Sequence, residues 1–342
     1  MSECLAIRAP AKLNLGLRVV GRRADGYHEL ATIFVAVDLT DLLVARRTTD
    51  AGVSLELESD VQSGLPVSAG EDNLVIRAAR AHLAASGRGG GLAFRLRKRI
   101  PAGAGLGGGS ADAAAALVLA QQLDDRPLPP ATLAALATSL GADVPFFLAG
   151  PYAAASTCFA RGIGERLWPI AARETRDFVL VLPPFGTSTR EVFAALNARL
   201  IGDADERKVR AAEAPTAAEL AALEAGGNDL EEPAMRCTPE LRRLRDRLAD
   251  RLAGAVGPVR NARARPRLQM SGSGSTLFVA LHDAAQADEV AALLGAAADD
   301  AMAGVRVVRT RVLADPLVAD TVAWDPEAPR PSVSGRPARG PQ

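Results

Sequence analysis

Val53 to Glu58 reads Val, Ser, Leu, Glu, Leu, Glu, one apolar and one polar face at a period of two. That alternation predicts a half-buried strand. Leu92 to Ile100 alternates in the same way and predicts a strand with one wet face. Ile7 to Val20 and Ile33 to Val44 are mostly apolar and rich in β-formers, so two further strands are predicted. Between them Arg22 to His28 is a polar turn pivoting on Asp25-Gly26. Longer segments carry helical patterns. Leu74 to Leu83 follows the capping pair Asp72-Asn73, and Ala111 to Leu123 is an alanine-rich run. Pro129 to Leu140, Ser188 to Leu200, Pro239 to Leu252 and Ala284 to Leu294 are the other predicted helices. Phe178 to Pro183 predicts a buried strand. Gln269 to Leu281 is a glycine-serine turn entering a strand, and Gly304 to Leu313 is the last strand. Strands and helices mix, and some strands alternate, which favours α+β over a parallel sheet. The pattern restarts near Tyr152, and 342 residues suffice for two domains.

Bulk composition narrows the function. Hydrophobic residues make up 48%, enough for sizeable cores. Lys+Arg and Asp+Glu are both 40, a balance that argues against nucleic-acid or membrane-surface binding. Cys4, Cys158 and Cys237 are far apart, as are His28, His82 and His282, so neither a metal site nor a disulfide framework is expected. No signal pattern opens the chain and no apolar run reaches membrane-span length, so a cytoplasmic location is expected. Asp325 to Gln342, rich in proline, arginine and glycine, is expected to be a disordered tail. Residues 257–267 form a basic loop, expected to be a solvated insertion.

The chemistry concentrates in Gly103-Ala-Gly-Leu-Gly-Gly-Gly-Ser110, where five of eight residues are glycine and a helix follows at once. Glycines let backbone N–H groups approach an anion, and the helix start adds free donors and a positive dipole end. A phosphate-bearing ligand, first of all a nucleotide, is implied. Gly109 stands where a P-loop needs lysine. Gly103, Gly105 and Gly108 satisfy G-x-G-x-x-G, but the preceding strand is amphipathic and no acid ends a strand twenty residues later, which disfavours a nicotinamide oxidoreductase. Lys12 and Asn14 share one face of an apolar strand. Lys12 is either an edge lysine in solvent or an ammonium needing an anionic partner. Asp143, among apolar neighbours, is either a helix cap or a poorly hydrated base. A Lys12–Asp143 pair accounts for both.

Pro10-Ala-Lys-Leu-Asn14, Pro101-Ala-Gly-Ala-Gly-Leu-Gly-Gly-Gly-Ser110 and Ser271-Gly-Ser-Gly274 resemble the three motifs of the GHMP kinases, small-molecule kinases related to those for galactose, homoserine and mevalonate. Gly21-Arg-Arg-Ala-Asp-Gly-Tyr-His28, Glu71-Asp-Asn-Leu74, Gly141-Ala-Asp-Val-Pro145 and Asn228-Asp-Leu230 resemble the branch acting on 4-diphosphocytidyl-2-C-methyl-D-erythritol, on the non-mevalonate route to isoprenoid precursors. The resemblance spans roughly residues 5 to 315.

It implies a two-domain α+β GHMP kinase fold. Residues 1–165 would form an N-terminal domain like ribosomal protein S5 domain 2, and residues 166–320 a ferredoxin-like C-terminal domain, with the site in the cleft. It implies ATP and Mg²⁺, and phosphorylation of the substrate's 2-hydroxyl. Asp143 would be the catalytic base and Lys12 its partner. Pro101, Ala102, Gly103, Ala104, Gly105, Leu106, Gly107, Gly108, Gly109, Ser110 and Ala111 would bind ATP, with Ser110 on the metal. Ala111 replaces a serine often found there. Asn14, Tyr27, His28, Lys98, Asp143, Thr189 and Phe193 would meet the substrate, Tyr27 stacking on cytosine and His28 reading its edge. The implied partner is this small molecule alone, with no nucleic acid or membrane, and the protein a monomer or weak homodimer. A GHMP kinase for another small alcohol, or a non-catalytic nucleotide binder on the same fold, are the rival readings. Tyr27-His28 argues against the first, and retention of Lys12 with Asp143 against the second.

Overall fold

The computed structural model describes residues 4–61, 64–149, 156–170, 176–196, 214–255, 266–313 and 319–322. The predicted tail and nearly all of the basic loop lie outside them. A long antiparallel pair, β1 (Cys4–Arg22) and β2 (His28–Thr48), forms the spine. The predicted turn joins them: Gly26 takes a left-handed φ of 88°, and Arg23 N–H donates to the Tyr27 carbonyl at 2.7 Å. On its far edge β2 serves two strands, β5 (Thr157–Gly162) near its start and β4 (Gly91–Lys98) near its end. β3 (Gly52–Ser59) lies parallel on β4, and β6 (Arg166–Pro169) antiparallel on β5. A short strand, β11 (Asp320–Val322), returns to β1 and completes seven strands. This sheet therefore draws on both halves of the chain and runs past residue 165.

α1 (Leu74–Ser86) and α2 (Gly108–Gln122) pack on it, and α3 (Pro130–Leu140) packs in turn on these helices. α2 is buried on every side, and the successive Ala113, Ala114, Ala115 and Ala116 are all inaccessible. Alanine is the best helix former, and its small side chain lets α1 and the sheet approach closely. β4 behaves as its alternation predicts. Leu92, Phe94 and Leu96 enter the core, while Arg95 and Arg97 on the other face pair with Glu56 and Asp60.

A second, antiparallel sheet has the order β10–β7–β9–β8, from β7 (Asp177–Leu182), β8 (Leu268–Met270), β9 (Leu277–Leu281) and β10 (Arg306–Arg311). Leucines of α8 (Pro239–Ala255) and α9 (Ala284–Ala301) share a core with one face of it. Phe178, Leu180 and Phe278 pack from this sheet onto Leu13, Leu15, Ile33 and Val35 of the first, so an apolar layer joins the two. The predicted helix from Ser188 is shorter than expected. α5 (Thr189–Ala194) is capped by the Ser188 hydroxyl and stops at Ala195, whose carbonyl accepts from Arg236 at 2.5 Å. Residues 197–200 of the predicted span lie outside the described ones. The remaining helices are α4 (Val144–Ala149), α6 (Ala217–Gly226) and α7 (Glu231–Cys237).

Candidate active site

The glycine run bridges β4 and α2, and four successive carbonyls of it are taken. Thr187 N–H donates to Gly103 O at 2.9 Å, Thr276 N–H to Ala104 O at 3.1 Å, Ser271 Oγ to Gly105 O at 3.0 Å, and Lys12 N–H to Leu106 O at 2.9 Å. Strand β1 and the Ser271–Gly274 turn thus clamp the loop from two sides. Glycine is needed here partly for protein neighbours. At Gly105, φ is 74° and a Cβ would lie 2.1 Å from the Ser271 carbonyl oxygen. At Gly107 a Cβ would press on Lys12 and the Phe147 ring, both at 3.0 Å. α2 then begins with Gly107 as N-cap and no side-chain cap. Its first-turn N–H groups have no intrahelical acceptor, which is the anion-binding arrangement of a helix start.

Lys12 and Asn14 do project together, as the period of two requires. Lys12 is 4% exposed, and its Nζ lies 2.6 Å from Asn14 Oδ1, 3.7 Å from Asp143 Oδ2 and 5.3 Å from the Phe34 ring centroid. Burial lowers the Lys12 pKa, while the charge and hydrogen bond of Asp143 push the other way. Asp143 ends the Gly141 corner just before α4 and is about a third accessible, so an incoming group can reach its carboxylate. Ser110, in the first turn of α2, faces this corner, its Oγ 3.9 Å from where a Cβ on Gly141 would sit. Gly272 closes the other side: a Cβ there would lie 3.3 Å from both Lys12 Nζ and Asn14 Oδ1.

At the tip of the spine, Tyr27 is 61% exposed, an unusual state for an aromatic ring. His28 stacks on Phe193 of α5, ring centroids 5.2 Å apart. Burial, and then the charge of Arg22, lower the His28 pKa, which favours a neutral imidazole at pH 7. Thr189 shares a hydrogen bond with Ser273 at 2.9 Å, and Thr187 Oγ1 donates to the Ser273 carbonyl at 2.8 Å. Arg23 reaches Glu165 at 3.8 Å, and a Cβ on neighbouring Gly164 would lie 3.4 Å from Asp143 Oδ1. Turn, α5, glycine-serine motif and Asp143 corner therefore border one region.

Lys98 is placed elsewhere. It is 3% exposed, and its Nζ is held between Asp112 at 2.7 Å and Asp41. It lies beneath Gly108, whose Cβ would come 3.3 Å from Nζ, and β2 separates its partner Asp41 from the His28 turn by thirteen residues. The structure does not bring Lys98 to Tyr27 and His28. The reason is its register on β4, where it follows Leu92, Phe94 and Leu96 on the core side. Asp41 also accepts the backbone N–H groups of Arg99 and Ile100 at 2.5 and 2.9 Å, so the triad fixes the chain as it approaches the loop. Burial resists the Lys98 charge, but Asp112 and Asp41 outweigh it and raise its pKa. Burial, with Asp41 adding to it against the opposing Lys98 charge, pushes Asp112 up to about 7.

Asp41, Asp112 and Thr32 escape sequence reasoning, and Ser273 is reached only as a member of the Ser271–Gly274 motif. Only Asp112, a charge inside an alanine run, carries a local signal. Among the described residues no group of three or more His, Cys, Asp or Glu side chains could hold a metal.

Residues 73–151 match the GHMP kinases N terminal domain. A 4-diphosphocytidyl-2-C-methyl-D-erythritol kinase from Pelotomaculum thermopropionicum is 42% identical over 287 residues, 83% of this chain and 91% of that protein. One from Thermus thermophilus is 40% identical over 277 residues, 79% of this chain and 85% of its own. A crystal structure of 4-(cytidine 5'-diphospho)-2C-methyl-D-erythritol kinase superposes with TM-score 0.66 at 36% identity, covering 90% of this chain and 98% of that one. Homoserine kinase from Cytophaga hutchinsonii, at 17% identity, shares the fold with TM-score 0.63 over 93% of this chain and 97% of its own.

Proposed function

Because this chain belongs to the family of 4-diphosphocytidyl-2-C-methyl-D-erythritol kinases, within the GHMP kinases, we propose that Lys12 and Asp143 are the residues that activate the accepting hydroxyl. The enzyme phosphorylates 4-diphosphocytidyl-2-C-methyl-D-erythritol at its 2-hydroxyl, with ATP as donor. The observation that carries the assignment is the Lys12–Asp143 pair, 3.7 Å apart at the foot of the glycine loop.

The residues divide the work as follows. N–H groups of residues 107 to 110 hold the transferring phosphates at the start of α2. Asp143 accepts the proton of the 2-hydroxyl, whose oxygen bonds to the γ-phosphorus as the bond from that phosphorus to the bridging oxygen breaks and ADP leaves. Lys12 stabilises negative charge growing on that oxygen. Tyr27 stacks on the cytosine, and neutral His28, backed by Phe193, hydrogen-bonds its edge. Thr189 and Ser273 line the same end, and Asn14 orients Lys12. Lys98 acts from below by holding the loop. Mg²⁺ fits the donor set: Ser110 offers one hard oxygen, and this ion usually keeps waters and phosphate oxygens as its other ligands. When bound it would neutralise phosphate charge. The balanced charge of 40 against 40 supports the absence of a nucleic-acid or membrane partner, and the reading is completed by a monomer or weak homodimer in the cytoplasm.

The test is a panel assay. Purified protein with Mg-ATP should phosphorylate 4-diphosphocytidyl-2-C-methyl-D-erythritol and ignore mevalonate, homoserine and galactose. Lys12→Ala and Asp143→Asn should each cut kcat, and the double variant should lose less than the product of the two losses. Multiplicative losses would show that the two residues do not act on one hydroxyl.

A further inference from the structure

Asn14 offers Lys12 two very different faces. Its Oδ1 accepts from an ammonium, whereas its Nδ2 would point two protons at a positive charge. The bond between Lys12 Nζ and Asn14 Oδ1, at 2.6 Å, needs something to hold the amide in the first orientation. Thr32 on β2 supplies it. Its Oγ1 lies 2.7 Å from the Gly16 carbonyl and 2.9 Å from Asn14 Nδ2. A hydroxyl has one proton, and a carbonyl oxygen can only accept. The Thr32 proton therefore goes to Gly16, and what Thr32 offers Asn14 is a lone pair. Only the NH₂ end of the amide can use it.

Backbone geometry builds this arrangement. Asn14 pairs with Phe34 and Leu17 with Thr32, so β1 spends three residues where β2 spends two, a β-bulge at Leu15-Gly16. Gly16 takes φ 77°, and a Cβ there would lie 2.1 Å from the Leu223 carbonyl oxygen, so no other residue fits. Thr32 is buried, as are Lys12 and Asn14, so water does not compete for these groups.

We propose that Thr32 is a positioning residue, which through Asn14 turns an acceptor toward Lys12 and so aims the remaining ammonium protons at Asp143 and the reacting oxygen. The inference rests on the role assigned to Lys12 above. Thr32→Val keeps the shape but frees the amide to rotate, and kcat should fall about tenfold, the scale of one charge-assisted hydrogen bond. The KM for ATP should stay within about twofold, because the phosphate site is untouched. Thr32→Ser should restore kcat. In an Asn14→Ala background, Thr32→Val should cost nothing more.

The experiment measures kcat and KM for Thr32→Val, Thr32→Ser, Asn14→Ala, the Asn14→Ala/Thr32→Val double variant and Lys12→Ala. An unchanged kcat in Thr32→Val, or an equal loss in the Asn14→Ala background, would overturn the inference. An unaltered kcat in Lys12→Ala would instead remove the reading beneath it. A direct check needs no variant. In native protein with labelled asparagine, nuclear Overhauser contacts should run from the Asn14 Nδ2 protons to Thr32. Contacts to the Lys12 side-chain methylenes in their place would refute the assigned orientation.

Discussion

Asp112 offers a quantitative test of the buried triad under the phosphate loop. Its carboxyl is 3% exposed, shares Lys98 with Asp41, and has a pKa raised from 3.8 to about 7. In the unfolded chain the group loses its proton near 3.8, so between these values the folded state binds more protons. Stability therefore falls as pH rises through this window and levels off above it. A displacement of about three units at 1.36 kcal/mol each amounts to ~4 kcal/mol, of which more than half falls between pH 5 and pH 8. Lys98, its pKa raised from 10.5, does not titrate in this range. Asp112→Asn keeps an oxygen for Lys98 and removes the surplus charge. Urea unfolding of both proteins at pH 5 and pH 8 isolates the effect, since other titrating groups cancel in the comparison. Native stability should drop relative to the variant by about 2–3 kcal/mol across this range, and at pH 8 the variant should be at least as stable. Equal pH slopes in the two proteins would refute the reasoning.

Gly105→Ala should lower stability by more than ~2 kcal/mol, because it combines a left-handed φ with a clash against the Ser271 carbonyl. Gly109→Ala, whose Cβ would meet only Leu74 at 3.6 Å, should stay within ~0.5 kcal/mol; thermal melts of the two variants check the contrast. Tyr27→Ala should raise the KM for the cytidylyl substrate by about 5- to 150-fold, from a stacking contribution of ~1–3 kcal/mol, and leave the melt unchanged because the ring is exposed.

Local pattern made the frame of the molecule readable. The alternation of Leu92 to Leu96 and the Asn73 cap, whose side chain accepts from Val75 N–H, each gave the element found. The loop, the Lys12–Asn14 face and the Asp25-Gly26 turn are local too, so residues close in sequence sufficed. Long-range partners were hidden. Lys98 carries the same alternation as its neighbours, but its role depends on Asp41, 57 residues earlier, and Asp112, 14 later. The run Ala9 to Leu15 gives no sign of the bulge that follows it, because Gly16 is dictated by Leu223 on a distant helix. Ser271 to Gly274 is legible as a turn, yet nothing in it announces that it clamps Gly105.

In the role proposed for it, Asp143 takes the proton of the accepting hydroxyl beside Lys12. Asp143→Asn keeps size and polarity and removes the proton-accepting charge. Turnover of 4-diphosphocytidyl-2-C-methyl-D-erythritol should fall about 10²–10⁴-fold, toward the lower figure because a loose phosphoryl-transfer transition state needs little early proton removal. ATP affinity, measured by calorimetry on the same preparation, should be retained. Near-normal turnover with ATP still bound would contradict the account and leave Asp143 a structural residue of the corner before α4.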